Sequence, residues 1–152
     1  MKLIKRCFAL GEALGAAIPQ WLLLLGIRLV LFRVFWLSVQ TKISGVTVGG
    51  QHFAFWSLND SVFFQFWEYP APLDSVPMIY AATFAEFFLS LAILAGLGTR
   101  FAALGLLVLI AVIQFVQPTG WWSAHVYWLL LTLILVRQGG GRVSLDYLFW
   151  RK

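Results

Sequence analysis

Charge is what this sequence has least of. Lys, Arg, Asp and Glu make up 11% of its 152 residues, against roughly 25% in ordinary soluble domains, while hydrophobic residues reach 61%. A soluble fold of this length could not bury so much apolar surface, so we expect the surrounding solvent to be lipid. The length predicts a single domain over residues 1–152.

Cysteine and histidine are also scarce, which argues against several kinds of redox and metal chemistry. The single cysteine, Cys7, cannot form an internal disulfide, and with His52 and His125 alone beside it we expect no metal site. The sequence has no CxxC motif, flavin fingerprint or pair of haem ligands, so the chain would carry no redox cofactor of its own. No spacing of Ser, His and acidic residues matches a hydrolase triad. Glu12 interrupts the first apolar run, so we expect no cleavable signal peptide.

Four long apolar runs are present instead, and each is of a length that can cross a bilayer as a helix. The predicted spans cover about 19–39, 77–97, 101–117 and 121–136. Residues 2–17 have apolar positions at helical spacing beside basic ones, which predicts an amphipathic helix on the membrane surface. The sequence therefore predicts an all-α membrane protein: an antiparallel four-transmembrane-helix bundle with an amphipathic N-terminal helix.

The distribution of basic residues predicts the orientation of the bundle. The connection between spans 1 and 2 carries Lys42, and the turn between spans 3 and 4 carries no basic residue. The other ends carry Lys2, Lys5, Arg6, Arg100, Arg137, Arg142, Arg151 and Lys152. Positive loops stay in the cytoplasm, so we expect a multi-pass protein of the bacterial inner membrane with both termini cytoplasmic. A continuous basic stripe is missing, so we expect no nucleic acid as a partner.

The connection between spans 1 and 2, residues 43–76, is crowded with aromatic side chains. Asn59, Asp60 and Ser61 are suited to capping a short helix that runs to Trp67 and ends before Pro70. Phe and Trp side chains favour the headgroup region over water. We therefore predict an aromatic periplasmic loop that lies over the bundle as a lid.

Charged residues inside the apolar runs are the strongest functional signal in the sequence. Arg28 and Glu86 are expected near the midplane on consecutive spans, where an unpaired charge costs at least about 2.5–3.5 kcal/mol. This depth predicts an Arg28–Glu86 ion pair, which could serve a ligand or only fix the helix register. Arg33 is rotated by about 140° from Arg28 on a helix, so the two would not share one carboxylate. Arg33 and Lys42 could also extend to the outer headgroups, and His125 could be an interfacial anchor.

Other polar residues are expected at the level of Arg33, and together they predict a polar cluster in the outer half of the bundle. Its members are Arg28, Arg33, Lys42, Glu86, Gln114, His125, Tyr127 and Trp128. Pairing leaves more positive than negative charge in this cluster. A quinone head group, a sulfur oxyanion or a lipid phosphate would suit that excess.

Several motifs resemble those of the DoxX family of small bacterial inner-membrane proteins. They are RLVLFRVFWLSVQTKI (28–43), FFQFWEYPAPL (63–73), LAGLGTRFAALGLL (94–107) and GGGRVSLDYL (139–148), with Trp121, His125 and Trp128 between the last two. The resemblance spans residues 26–148. Ser38 stands where many relatives have glycine, and Arg33 is not part of the general pattern. The resemblance implies a four-helix bundle with a periplasmic 1–2 loop. Some relatives are membrane subunits of thiosulfate:quinone oxidoreductase, and others are linked to oxidoreductase assemblies.

Three functions therefore stay open from the sequence. The first is the membrane subunit of an oxidoreductase complex, which offers a quinone or small anionic ligand site and docks a soluble or membrane oxidoreductase subunit. The second is a transporter-like protein for a small solute, an anion or a lipid. The third is a non-catalytic membrane scaffold. Gly98, Ala102, Gly105 and Ala85 would allow close helix approach, either within the bundle or in a homo-oligomer.

Overall fold

The computed structural model describes residues 2–67 and 69–150, and in this part of the chain helices predominate. The helices are α1 (Lys2–Ala17), α2 (Gln20–Gln40), α3 (Asp60–Trp67), α4 (Val76–Ala95), α5 (Thr99–Val116), α6 (Val126–Gln138) and α7 (Leu145–Trp150). A 3-10 turn (Pro118–Gly120) and a π-helical turn (Trp121–His125) lead into α6. Strands β1 (Thr47–Val48) and β2 (Gln51–His52) form a small antiparallel hairpin that the sequence did not predict.

Four helical segments among the described residues are long and apolar enough to cross a membrane. They are Gln20–Gln40, Val76–Ala95, Thr99–Val116 and Pro118–Gln138. The last segment reaches this length because the two irregular turns continue directly into α6. The predicted all-α membrane bundle is confirmed, with span limits that differ from the prediction by at most three residues.

The four spanning helices pack in a ring in which α2 contacts α4, α4 contacts α5, α5 contacts α6, and α6 closes on α2. On α2 the buried residues Leu24, Arg28, Leu31, Phe35 and Val39 recur every three or four positions, which makes one inward stripe. Outside this stripe many large apolar side chains are exposed, as expected for a bundle in lipid. We refer below to the end at which α2 begins and α6 ends as the terminal end, and to the other, which carries the connection between α2 and α4, as the loop end.

Glycine allows the closest helix contact inside the bundle. A Cβ added at Gly105 on α5 would lie 2.8 Å from a methyl carbon of Leu89 on α4. Ala102, one turn earlier, is buried as well. At these positions the small residues serve packing within one chain, as membrane bundles commonly require.

The aromatic connection packs against the side of the α2–α4 pair. Phe55 contacts the rings of Phe84, Phe87 and Phe88 on α4, with centroids 5.0–5.4 Å apart. Trp36 donates from its indole nitrogen to Gln51 at 2.7 Å, so the β1–β2 hairpin is held against α2. The helix predicted up to Trp67 is confirmed as α3. The predicted lid is found only in part: Phe55 packs on the flank of α4, whereas Tyr69 of the same connection lines a cavity inside the bundle.

Helix α1 covers the residues predicted for the N-terminal helix. Ile4, Phe8 and Leu14 are exposed on it, each by more than 60%. The side chains of Leu3, Cys7 and Leu10, which carry part of the amphipathic pattern, lie outside the described residues, as do Glu68, Arg151 and Lys152. The position of α1 on a membrane surface therefore stays a prediction.

Candidate functional site

A buried ion pair joins α4 to the end of α2 in the loop half of the bundle. The ammonium nitrogen of Lys42 lies 2.6 Å from Oε2 of Glu86, and the two residues are 8% and 3% exposed. Ser38, one helical turn before Lys42, accepts a hydrogen bond from Lys42 at 3.2 Å and donates to Glu86 at 3.3 Å. Each charge therefore has a partner of opposite charge and a hydroxyl, which is what burial of ions requires.

The predicted Arg28–Glu86 pair is wrong. Arg28 instead donates to backbone carbonyl oxygens: Nε to Ile93 at 2.8 Å and Nη1 to Gly140 at 3.2 Å, with further bonds to Leu94 and Val143. Ile93 and Leu94 belong to the last turn of α4, where carbonyls lack the usual partner four residues on, and the carbonyl of Ile93 also accepts from the nitrogen of Gly96 at 3.1 Å. The long side chain of Arg28 extends to these oxygens at the terminal end, away from the depth of Glu86.

His125 forms the second polar pair in the loop half. Its Nδ1 lies 2.7 Å from Oε1 of Gln114 on α5. The amide nitrogen of Gln114 donates to the carbonyl of Pro118 at 3.3 Å, so its oxygen is the group that faces the imidazole. In this arrangement Nδ1–H of His125 donates and Oε1 of Gln114 accepts. His125 is 4% exposed and packs on Trp128, with ring centroids 5.2 Å apart.

The backbone around His125 is shaped to bring this ring inward. A Cβ added at Gly120 would lie 2.5 Å from Cε1 of His125, so residue 120 must be glycine for the ring to fit. The π-helical turn Trp121–His125 widens the helix at the same place. Such turns are frequent at functional sites. His125 is therefore a buried residue of the bundle interior and not an exposed interfacial anchor.

Lys42, Glu86 and His125 line one cavity of about 430 Å³ between the helices, and Gln114 lies behind His125. Its polar lining residues are Ser38, Thr41, Lys42, Tyr69, Glu86, Gln117 and His125, and its apolar ones include Val34, Phe35, Leu109, Ile113 and Trp128. Ligand pockets typically measure about 300–1,000 Å³ and are mainly apolar with a few convergent polar groups. We call this cavity the central cavity, and it is the candidate functional site.

Several residues of the predicted cluster lie elsewhere. Arg33 and Tyr127 (57% exposed) lie on the outer face of the bundle. The large rotation between Arg28 and Arg33 explains this, because one inward stripe cannot hold both. Arg28 lies at the terminal end, as described above. The structure does bring together Lys42, Glu86, Gln114, His125 and Trp128.

The charge of the cavity also differs from the prediction. With Arg28 and Arg33 elsewhere, the charges of Lys42 and Glu86 cancel each other, so the predicted excess of positive charge is not found in the cavity.

Four lining residues of the cavity were not predicted from the sequence: Ser38, Thr41, Tyr69 and Gln117. Ser38 could have been found, because position i−4 from Lys42 lies on the same helical face. No helical spacing pointed to Tyr69, because this residue follows α3 in the connection and is not part of a helix.

A comparison with models of protein families tests the family membership that the sequence motifs indicated. The model of the DoxX family matches residues 23–119, which is more than half of the chain. The chain belongs to the DoxX family. The matched region contains α2 from residue 23 onward, the connection, α4 and α5, and therefore Lys42, Glu86 and Gln114; His125 lies beyond it. No curated protein matches the chain, and no solved structure matches it.

Family membership and four apolar spans together establish the coarse class of the molecule. This DoxX family member is a multi-pass membrane protein whose exposed apolar side chains contact the lipid bilayer.

Proposed function

We propose that this DoxX family member is the membrane subunit of an oxidoreductase complex and holds a quinone head group in the central cavity. The observation that carries the proposal is the position of Lys42, Glu86 and His125 around a cavity with aromatic and aliphatic walls. In this proposal the electrons come from a partner oxidoreductase subunit, soluble or membrane-bound, and this chain positions the quinone and handles protons.

The balance of charge in the cavity supports a neutral ligand. Glu86 already neutralises Lys42 in the wall of the cavity. An anion would therefore add a charge that this ion pair does not balance, whereas an uncharged head group would not. A small anionic ligand is the alternative.

The hydrogen-bonding capacity supports a ligand with carbonyl oxygens. An ammonium group has three N–H donors, and the bonds to Glu86 and Ser38 use two of those of Lys42. The third is available to an acceptor in the cavity. Reduction of a quinone to a quinol takes up two electrons and two protons, so groups that hold protons are needed beside it. Glu86, Lys42 and His125 are such groups.

A binding experiment with a short-tailed benzoquinone tests the proposal. The purified protein in detergent is titrated with the quinone, and quenching of tryptophan fluorescence and the melting temperature are measured. We expect saturable quenching and a stabilised protein, since a ligand that binds only the folded state raises its stability. Trp128 in the cavity wall is placed to report binding directly.

Matched variants distinguish quinone binding in the cavity from quinone binding at the outer surface of the bundle. Lys42→Met combined with Glu86→Met, and separately His125→Gln, should weaken quinone binding, while Arg33→Met and Tyr127→Phe on the outer face should leave it unchanged. If the cavity variants bind the quinone as the wild type does, the proposal is wrong. If neither the wild-type protein nor any variant binds the quinone, and the Lys42→Met/Glu86→Met variant still replaces the wild type in the cell, the scaffold function is favoured.

We further propose a bacterial inner-membrane location with both termini in the cytoplasm, which puts the central cavity in the outer half of the bilayer. The support is the bias of Lys and Arg toward the terminal end. A membrane-impermeant maleimide tests it on intact cells. Cys7 should be protected, and a Cys7→Ser protein with Val46→Cys on the exposed connection should be labelled. The reverse pattern would contradict the orientation.

A further inference from the structure

A second, larger cavity lies at the terminal end of the bundle, on the side opposite to the central cavity. It is an open groove of about 970 Å³ between the first turns of α2 and α5 and the C-terminal segment Gly139–Trp150. Its apolar walls include Trp21, Leu24, Phe101 and Trp150, and its basic lining residues are Arg100 and Arg142. We call it the terminal groove.

The floor of the terminal groove is held by defined contacts. The carboxylate of Asp146 accepts hydrogen bonds from the backbone nitrogens of Gly98 and Thr99 at 2.6 and 2.7 Å, so it caps α5. Arg28 donates a hydrogen bond to the carbonyl oxygen of Gly140 from the interior of the bundle. The C-terminal segment is therefore fixed to the ends of two spanning helices, and the groove is a built feature of the fold.

The groove has an excess of positive charge that faces outward. Both oxygens of Asp146 are used by backbone donors. Arg100 and Arg142 are exposed, and across the described residues neither guanidinium has an ion pair or a side-chain hydrogen bond. Two such arginines lining one groove are suited to a phosphate, because a guanidinium can donate two parallel N–H bonds to phosphate oxygens.

The position of the groove points to a lipid as the source of the phosphate. The groove opens at the ends of spanning helices α2 and α5, which is the level of the headgroups. Apolar side chains adjoin the arginines: Phe101 is 82% exposed and Trp150 is 69% exposed. A soluble phosphate compound would leave these side chains in water, whereas the acyl chains of a lipid would cover them.

We propose that the terminal groove binds the phosphate-bearing headgroup of an anionic phospholipid, with Arg100 and Arg142 holding the phosphate and Trp21, Phe101 and Trp150 contacting the glycerol and upper acyl region. The site is independent of the quinone proposal, since it lies at the other end of the bundle. The contacts of the C-terminal segment would then depend on the lipid composition of one leaflet.

The test is lipid binding to the purified full-length protein in a neutral detergent. Phosphatidylglycerol and phosphatidylcholine are titrated in parallel, and bound lipids are counted by native mass spectrometry. We expect phosphatidylglycerol to bind about twenty-five-fold more tightly, about fivefold for each arginine. The double variant Arg100→Gln/Arg142→Gln should lose this preference.

Arg137→Gln is the matched control, because Arg137 is an exposed arginine at the same end that does not line the groove. It should keep the preference. An equal loss in Arg137→Gln would overturn the proposal in favour of general surface charge, and a retained preference in the double variant would overturn it outright. Circular dichroism and gel filtration check that each variant is folded.

A competition arm separates the two sources of phosphate. Inorganic phosphate and glycerol 3-phosphate at millimolar concentration should fail to displace phosphatidylglycerol. Displacement by either at concentrations near those of the lipid would overturn the assignment to a membrane lipid.

Discussion

Gly96 and Arg28 are in such close contact that a Cβ at residue 96 would lie 2.8 Å from Cζ of the guanidinium. Gly96 ends α4 in the left-handed conformation, with φ of 68°. The missing side chain lets Arg28 cross the end of α4 and reach the carbonyls of Gly140 and Val143. One arginine therefore joins α2, the last turn of α4 and the C-terminal segment.

Gly96→Ala should lower the free energy of unfolding more than Gly98→Ala does, although both glycines have positive φ, 68° and 54°. A Cβ at Gly98 meets nothing within 4 Å, so its substitution should cost only the backbone term, about 1–2 kcal/mol. Gly96→Ala should cost roughly 1–3 kcal/mol more, because Arg28 and Ser144 must move. Unfolding free energies in mixed detergent micelles measure both, and equal costs would contradict the contact.

Arg28→Lys should destabilise the protein nearly as much as Arg28→Met. A lysine ammonium is a compact group that cannot reach carbonyls on two sides as the planar guanidinium does. Each buried acceptor left without a donor costs about 1–3 kcal/mol, so we expect a loss of at least about 3 kcal/mol. Arg33→Met, on the outer face, is the control and should not destabilise the protein. A stable Arg28→Lys protein would show that the carbonyl contacts contribute little.

Lys42→Met and Glu86→Met should each be strongly destabilising alone and much less so together. A single substitution leaves one buried charge without its partner, which costs about 3–5 kcal/mol. The double variant removes both charges and should recover to within about 1–2 kcal/mol of the wild type. The same unfolding measurement, arranged as a double-mutant cycle, gives the coupling energy. Additive losses would mean that the two side chains are not paired.

Asp146→Ala should loosen the junction between the C-terminal segment and α5. The carboxylate acts as the N-terminal cap of α5 although it comes from 47 residues further along the chain. Loss of a cap costs about 0.5–2 kcal/mol. Hydrogen exchange at the amides of Gly98 and Thr99 should become faster, whereas the exposed Asp74→Ala should leave it unchanged. Unaltered exchange in Asp146→Ala would contradict the cap.

The sequence was sufficient for the elements of the bundle and for part of its site. Residues of α3 were predicted from the Asn59–Ser61 cap and the aromatic run, because both signals lie within one short segment. The inward position of Glu86 followed from its depth in an apolar span, since a charge there must avoid lipid. The hairpin at Thr47–His52 was missed, because strands of two residues are too short to give an alternating pattern.

Composition and run length alone determined that this chain spans a membrane four times and which residues do so, because the transfer of apolar residues into lipid is a sum over local side chains. The motifs along the chain likewise determined the DoxX family. The partner of each buried charge was decided by the tertiary structure. Glu86 binds Lys42 because α2 and α4 are rotated so that both face the same cavity, and neither rotation is encoded in hydropathy. Arg28 found its partners in carbonyls of α4 and of a segment more than a hundred residues away, which exist as acceptors only once the helices have ended and packed.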